Sequence, residues 1–230
     1  MEEFAPARLA ETRKIFDDAG VAVNCIDTSV RFTSTDPAER SAQLELARAS
    51  SEIASGLGAR YLRVFGGPVP KGTGVADHSA TIAEGLGLVA DETWASGVQT
   101  LLETHDDFST SDKVGLILDQ SSERLGILWD FLHSWRHGEP VAKTWSNLGD
   151  RIRQVHAKDS SVATPDGFDL VLTGTGIAPL GELVSTLIDA DFDGYVDFEW
   201  EKAWHPEIEE PEVAIPHFRT ALDEIIQSVR

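Results

Sequence analysis

Cysteine is almost missing from this chain: Cys25 is the single one among 230 residues. No intramolecular disulfide and no cysteine-based zinc cluster can form, and a reducing, cytoplasmic setting is the default. Basic residues are also scarce, 19 against 39 acidic ones, for a formal net charge of −20. Such a chain repels phosphate backbones and carries no basic stripe, which argues against a nucleic-acid partner. Most of the acidic excess reads as solvated surface. No apolar run approaches the roughly 20 residues a membrane span needs, so no membrane partner is expected. The opening MEEFAPARLAETRK is acidic and then helical, without the basic-then-apolar pattern of a signal peptide. No repeat, low-complexity tract or linker divides the sequence. What remains is ordinary for a soluble globular protein, 41% hydrophobic and 25% charged residues. That suffices for one domain, 1–230, with a proper core.

Hydrophobic periodicity and breakers predict alternating helices and strands. A helix over 5–19, with Leu9, Ile15 and Phe16 on one side, stops at Gly20. A strand follows over 21–27, then a helix over 37–57 opened by Asp36-Pro37. The next strand is 59–67, followed by a Gly-rich loop at 71–77, a helix over 79–96 and a strand over 98–106. A short helix at 111–120 precedes a strand over 124–133, and residues 139–149 form a short helix or loop. The fifth strand is 151–159, and the loop LTGTGIAPL leads to a helix over 180–190. The sixth strand opens GYVDFEWEKAWHP at Gly194, and a helix over 211–229 closes the chain. Strands without clean polar alternation, each followed by a helix, indicate an α/β protein with a parallel sheet.

Ionisable residues gather at the carboxyl ends of four successive strands. Glu103 and His105 end the third, Asp130 and His133 the fourth, His156 and Lys158 the fifth, Glu199 and Glu201 the sixth. Binding and catalysis in parallel α/β folds sit at that end. A lone Glu or His there has an ordinary solvated or hydrogen-bonded explanation. Asp130 between Trp129 and Phe131, by contrast, demands a partner. Three carboxylates and one imidazole suit a divalent cation such as Mn, Mg, Co or Zn, whose charge lets the acids ionise together.

The segments LLETHDD, ILWDFLH, VHAKD, GTGIAPLGELVSTL and GYVDFEWEKAWHPEIEEPEVAIPHF occur in the order found in a known superfamily. The chain resembles the xylose isomerase-like sugar isomerase/epimerase (β/α)₈ barrels, which include tagatose-3-epimerase-like enzymes and inosose dehydratases. The resemblance implies metal ligands Glu103, Asp130, His156 and Glu199. It casts Glu103 and Glu199 as the acid–base pair on opposite faces of a sugar or polyol. A chelated carbonyl and its neighbouring hydroxyl would acidify the intervening C–H and stabilise an ene-diolate. His133 matches a position that contacts substrate hydroxyls. His105, Lys158 and Arg63 join it as substrate-side candidates, though Lys158 and Arg63 would serve equally well balancing ligand carboxylates. Trp135, Trp200 and Trp204 stand near enough in sequence to line an apolar wall, with simple packing favoured for Trp200.

Two departures set the chain apart from the resemblance. Ser109 and Val162 stand where the epimerase branch has a Glu and an Arg, which implies a sugar held differently and counts against ketose 3-epimerase activity. Family members begin with a strand, a helix and a strand before the helix at 5–19, so six strands are expected where the barrel has eight. The expectation is a TIM-type barrel incomplete at its N-terminus, or a start assigned too far downstream. A strand edge left open invites pairing, which leaves room for a homo-oligomer. The leading function is a metal-dependent isomerase or epimerase. The alternatives are a dehydratase of inosose or dehydroshikimate type and a truncated, non-catalytic metal-binding barrel. The related DNA-repair endonucleases fit poorly with a charge of −20 and only seven histidines.

Overall fold

The helices of this protein start and stop where local chemistry dictates. Helix α1, Leu9–Ala19, ends at Gly20, whose φ of 67° is left-handed. Helix α2, Pro37–Leu57, begins with Asp36 accepting the Ala38 N–H at 2.7 Å and ends at left-handed Gly58. The protein is described by a computed structural model covering residues 4–5 and 8–230, so positions 6 and 7 of the expected first helix lie outside the described residues. Among the described residues no helix is long and apolar enough to cross a membrane.

Two compact units divide the chain, Met1–Phe108 with Asp112–Leu128, and Ser109–Ser111 with Trp129–Arg230. In the first, strands β1 (Cys25–Asp27), β2 (Tyr61–Phe65), β3 (Gln99–Glu103) and β4 (Gly126–Asp130, the last two residues of which fall in the second unit) run parallel in that order. The register sets Phe65 beside Glu103, and Glu103 beside Leu128. Leu62, Val64, Leu101, Leu102, Ile127 and Leu128 are fully buried. Both faces of these strands are therefore covered, the usual condition of a parallel sheet. Helix α3, Val75–Trp94, contributes Ile82, Leu86 and Val89 to that core, and α4 spans Ser111–Leu118.

In the second unit β5 (Ile152–Ala157) pairs in parallel with β8 (Tyr195–Phe198). Between them lie an antiparallel hairpin, β6 (Asp159–Thr164) with β7 (Gly167–Val171), and helix α7 (Leu180–Asp189). Helices α5 (Phe131–Arg136), α6 (Val141–Leu148) and α8 (Pro211–Val229) complete the unit. Phe198 stacks on Phe218 of α8 at 4.6 Å, so the apolar face of β8 packs on a helix as its alternation indicates.

Six parallel strands are present among the described residues, as expected, with several boundaries moved. The first strand shrinks from 21–27 to Cys25–Asp27, and α3 starts four residues early, at Val75. Ile15, assigned to the apolar side of α1, is 65% exposed. The fourth strand does not run to His133. It stops at Asp130, whose Oδ1 accepts the His133 N–H at 3.0 Å and caps α5. The run ILWDFLH is apolar on both faces, so periodicity alone cannot tell strand from buried helix there. The β6–β7 hairpin was not anticipated. Its signal was legible, since β-forming residues flank Pro165-Asp166-Gly167, a turn sequence.

Candidate metal centre

Strands β4, β5 and β8 each deliver a polar group at or just past the carboxyl end. Asp130 is the last residue of β4, His156 the last but one of β5, and Glu199 directly follows β8. One ligand-type atom from each of Asp130, His156 and Glu199 lies within 4.8 Å of the others. Asp130 is fully buried, His156 is buried, and the Glu199 side chain is about a quarter exposed. His156 turns Nδ1 toward the Glu199 carboxylate, 3.3 Å from Oε2.

Lys158 lies among these acids and is itself 1% exposed. Its Nζ is 2.8 Å from Asp130 Oδ2, 2.5 Å from Glu199 Oε2 and 2.9 Å from Glu201 Oε1. Burial pushes the Lys158 ammonium down, but Asp130, Glu199 and Glu201 outweigh it and hold its pKa well above the ordinary value. Burial likewise opposes ionisation of Glu199, and Lys158 and His156 outweigh it, holding its carboxyl well below the usual range. Three carboxylates thus face one ammonium, and the excess negative charge in a buried place suits a further cation.

These directions fix the pH dependence of the metal-free protein. The folded pKa of Glu199 lies below its unfolded value of ~4.3. Its stabilisation is therefore complete above that pH and lost as pH falls through the depressed value. Lys158 is raised, so its contribution is complete below its unfolded value of ~10.4 and lost as pH rises through the folded one. Thermal melts of chelator-stripped protein are expected to show an acid decline that is shallower in Glu199→Gln. An identical acid limb in that variant would contradict the pairing.

His133, buried on α5, has Nε2 3.6 Å from Asp130 Oδ2. Arg136 Nε donates to His133 Nδ1 at 3.0 Å. A guanidinium only donates, so Nδ1 accepts and Nε2 carries the ring proton. The same guanidinium donates at 2.8 Å to the carbonyls of Thr164 and Pro165, at the tip of the β6–β7 hairpin. Phe168 of β7 meets the His133 ring edge-on at 5.5 Å and lies 5.5 Å from Lys158 Nζ. Arg136→Leu is expected to loosen the hairpin and speed amide exchange over residues 159–171 about 10-fold, the equivalent of one lost charged hydrogen bond. Unchanged exchange would show that the hairpin stands without that latch.

Asp159 anchors the other end of this region. Its carboxylate accepts the N–H groups of Ser160, Gly174, Gly176 and Ala178 at 2.8–3.2 Å. A Cβ on Gly176 would lie 2.3 Å from Asp159 Oδ1, which is why the LTGTG loop needs a glycine there. The loop's backbone donors are thus directed at a side chain of the protein itself.

In the first unit Glu103, 1% exposed, ends β3 and lies 3.1 Å from Arg63 Nε. Arg63 also lies 3.5 Å from Asp27 and covers the Phe65 ring at 4.0 Å. Its guanidinium therefore faces two carboxylates and an aromatic ring. His105 sits 3.1 Å from Asp106 and against the Phe65 ring at 4.7 Å. Trp204 is 82% exposed, whereas Trp135 and Trp200 pack on Leu132, Leu170 and Ile208. Arg136, Asp159, Phe168 and Gln154 escaped sequence reasoning because three lie on elements with unforeseen boundaries and the fourth sits mid-strand.

Residues 1–221 match the family described as xylose isomerase-like TIM barrel, and the chain belongs to that family. A fructoselysine 3-epimerase of Escherichia coli O157:H7 is 33% identical over 78 residues, covering 34% of this chain and 27% of that protein. The chain spans about a third or less of the length of the curated relatives it matches. Among solved structures, an IolI protein with a bound zinc atom aligns with a TM-score of 0.83 at 16% identity, over 96% of this chain and 82% of that one. An L-ribulose 3-epimerase aligns with a TM-score of 0.82 at 18% identity, over 98% of this chain and 82% of that one. Likenesses at this identity establish the fold. Together with the family, they make the protein an α/β chain of TIM-barrel type.

Proposed function

We propose that this protein is a divalent-metal-dependent isomerase or epimerase of a sugar or polyol, with Glu103, Asp130, His156 and Glu199 as ligands for Mn, Mg, Co or Zn. The observation that carries the reading is the convergence of buried Asp130 and His156 with half-buried Glu199 at strand ends. Glu103 joins them on strand grounds. It pairs with Leu128, and Asp130 follows two residues later on the same strand. The donor set fits a hard or borderline divalent ion, oxygen-rich with one imidazole. When bound, such an ion would polarise a substrate carbonyl and acidify the adjacent C–H.

The remaining work falls to the chain's own groups. Glu199 and Glu103 are the two carboxylates that remove and return the proton on opposite faces of the substrate. The proton that Arg136 confines to His133 Nε2 gives a fixed donor for a substrate oxygen. His105 and Arg63 serve the sugar side of the first unit. Phe168 gives the second unit an apolar surface beside Lys158. The test is NMR of a panel of ketoses, aldoses and inososes incubated with protein and Mn²⁺ in D₂O. Deuterium entering at the carbon next to the carbonyl, without loss of water, is expected. Loss of water would indicate a dehydratase of the same family, and no exchange with any substrate would overturn the catalytic reading.

A further inference from the structure

Gln154 lies two residues before His156 on β5, so both side chains project from the same face of the strand. It is 2% exposed. Its carboxamide nitrogen is 3.4 Å from His156 Nε2, and its Oε1 is buried with no hydrogen-bond partner. In this arrangement the amide donates to Nε2, which places the ring proton of His156 on Nδ1, facing Glu199.

An imidazole that ligates through Nδ1 cannot keep a proton there. The proton must sit on Nε2, and a buried Nε2–H needs an acceptor. The buried, unpartnered Oε1 is the acceptor at hand. A half-turn of the amide plane exchanges Oε1 for the nitrogen with almost no change of shape. We propose that Gln154 is a positioning residue for the metal ligand His156. Its carboxamide donates to Nε2 in the metal-free protein and, reversed, accepts from Nε2–H when Nδ1 binds the ion. Glutamine supplies both a donor and an acceptor at one place, which neither Glu nor a hydrophobic residue does.

This rests on the metal reading above, and two measurements separate the two. Calorimetric titration of chelator-stripped protein with Mn²⁺ is expected to show Gln154→Met binding about 10–100-fold more weakly than wild type. Gln154→Glu, which keeps an acceptor, is expected to bind no more weakly than wild type. On wild-type protein alone, ¹⁵N–¹H correlation of the His156 ring is expected to place the proton on Nδ1 without metal and on Nε2 with Zn²⁺. Equal Mn²⁺ affinity in wild type and Gln154→Met, or a Zn²⁺-loaded ring still protonated on Nδ1, overturns the role of Gln154 and leaves the metal site standing. No binding by wild type overturns the metal reading and this inference with it.

Discussion

Lys158→Met is expected to lower the melting midpoint of chelator-stripped protein by roughly 6–20 °C. Removing one partner of a buried ion pair destabilises by about 3–5 kcal/mol, because the other charge stays buried and uncompensated. In a chain of this size each kcal/mol shifts the midpoint by about 2–4 °C. Lys158 is 1% exposed and lies within 3 Å of carboxylate oxygens of Asp130, Glu199 and Glu201. Its loss therefore strands more than one acid. Methionine fills the space of the stem but brings no charge. A divalent ion is the natural replacement, so the variant is expected to bind Mn²⁺ more tightly than wild type. Metal at 100 times its Kd should return about 2.7 kcal/mol of stability. A variant that melts with wild type, or one that Mn²⁺ does not rescue, would show that the ammonium and the ion do not share these oxygens.

The second large effect is on metal binding itself. Removing two proposed ligands together, as Glu199→Gln with His156→Ala, is expected to weaken Mn²⁺ binding by about 10²–10⁴-fold. Disturbing a ligand's outer-shell partner alone weakens binding about 10–100-fold, and each lost ligand should do at least as much. Glu199→Gln keeps the shape of the side chain, and His156→Ala leaves β5 paired with β8 through the backbone. Far-UV circular dichroism should therefore match wild type. Calorimetry on stripped protein reads the affinity, and unchanged binding would place the ion elsewhere.

Much of this was legible in the sequence because the site sits at the ends of strands. Glu103, Asp130, His156 and Glu199 each interrupt or end an apolar run, and that interruption is visible without coordinates. The six parallel strands were legible for the same reason, their apolar runs being bounded by glycine and polar turns. What stayed hidden depends on which atom meets which. Lys158 read equally as an anion contact or a charge balance, and its distances to three carboxylates could not be read from the sequence. Glu201, named only as one of the acids ending the sixth strand, lies 2.9 Å from Lys158. Asp130 gave no hint that its second role is to cap α5, since WDFLH is apolar on both sides. Arg136 lies beyond the expected fourth strand. Its partners, Thr164 and Pro165, lie on a hairpin absent from the predicted elements.

The central claim is that Asp130, His156 and Glu199, with Glu103, hold one divalent ion. Anomalous diffraction from crystals soaked in Mn²⁺ tests it most directly. One strong peak is expected within coordination distance of a carboxylate oxygen from each of Glu103, Asp130 and Glu199 and of Nδ1 of His156. A peak bound by surface acids alone, or no peak while Lys158 keeps its three carboxylates, would contradict it.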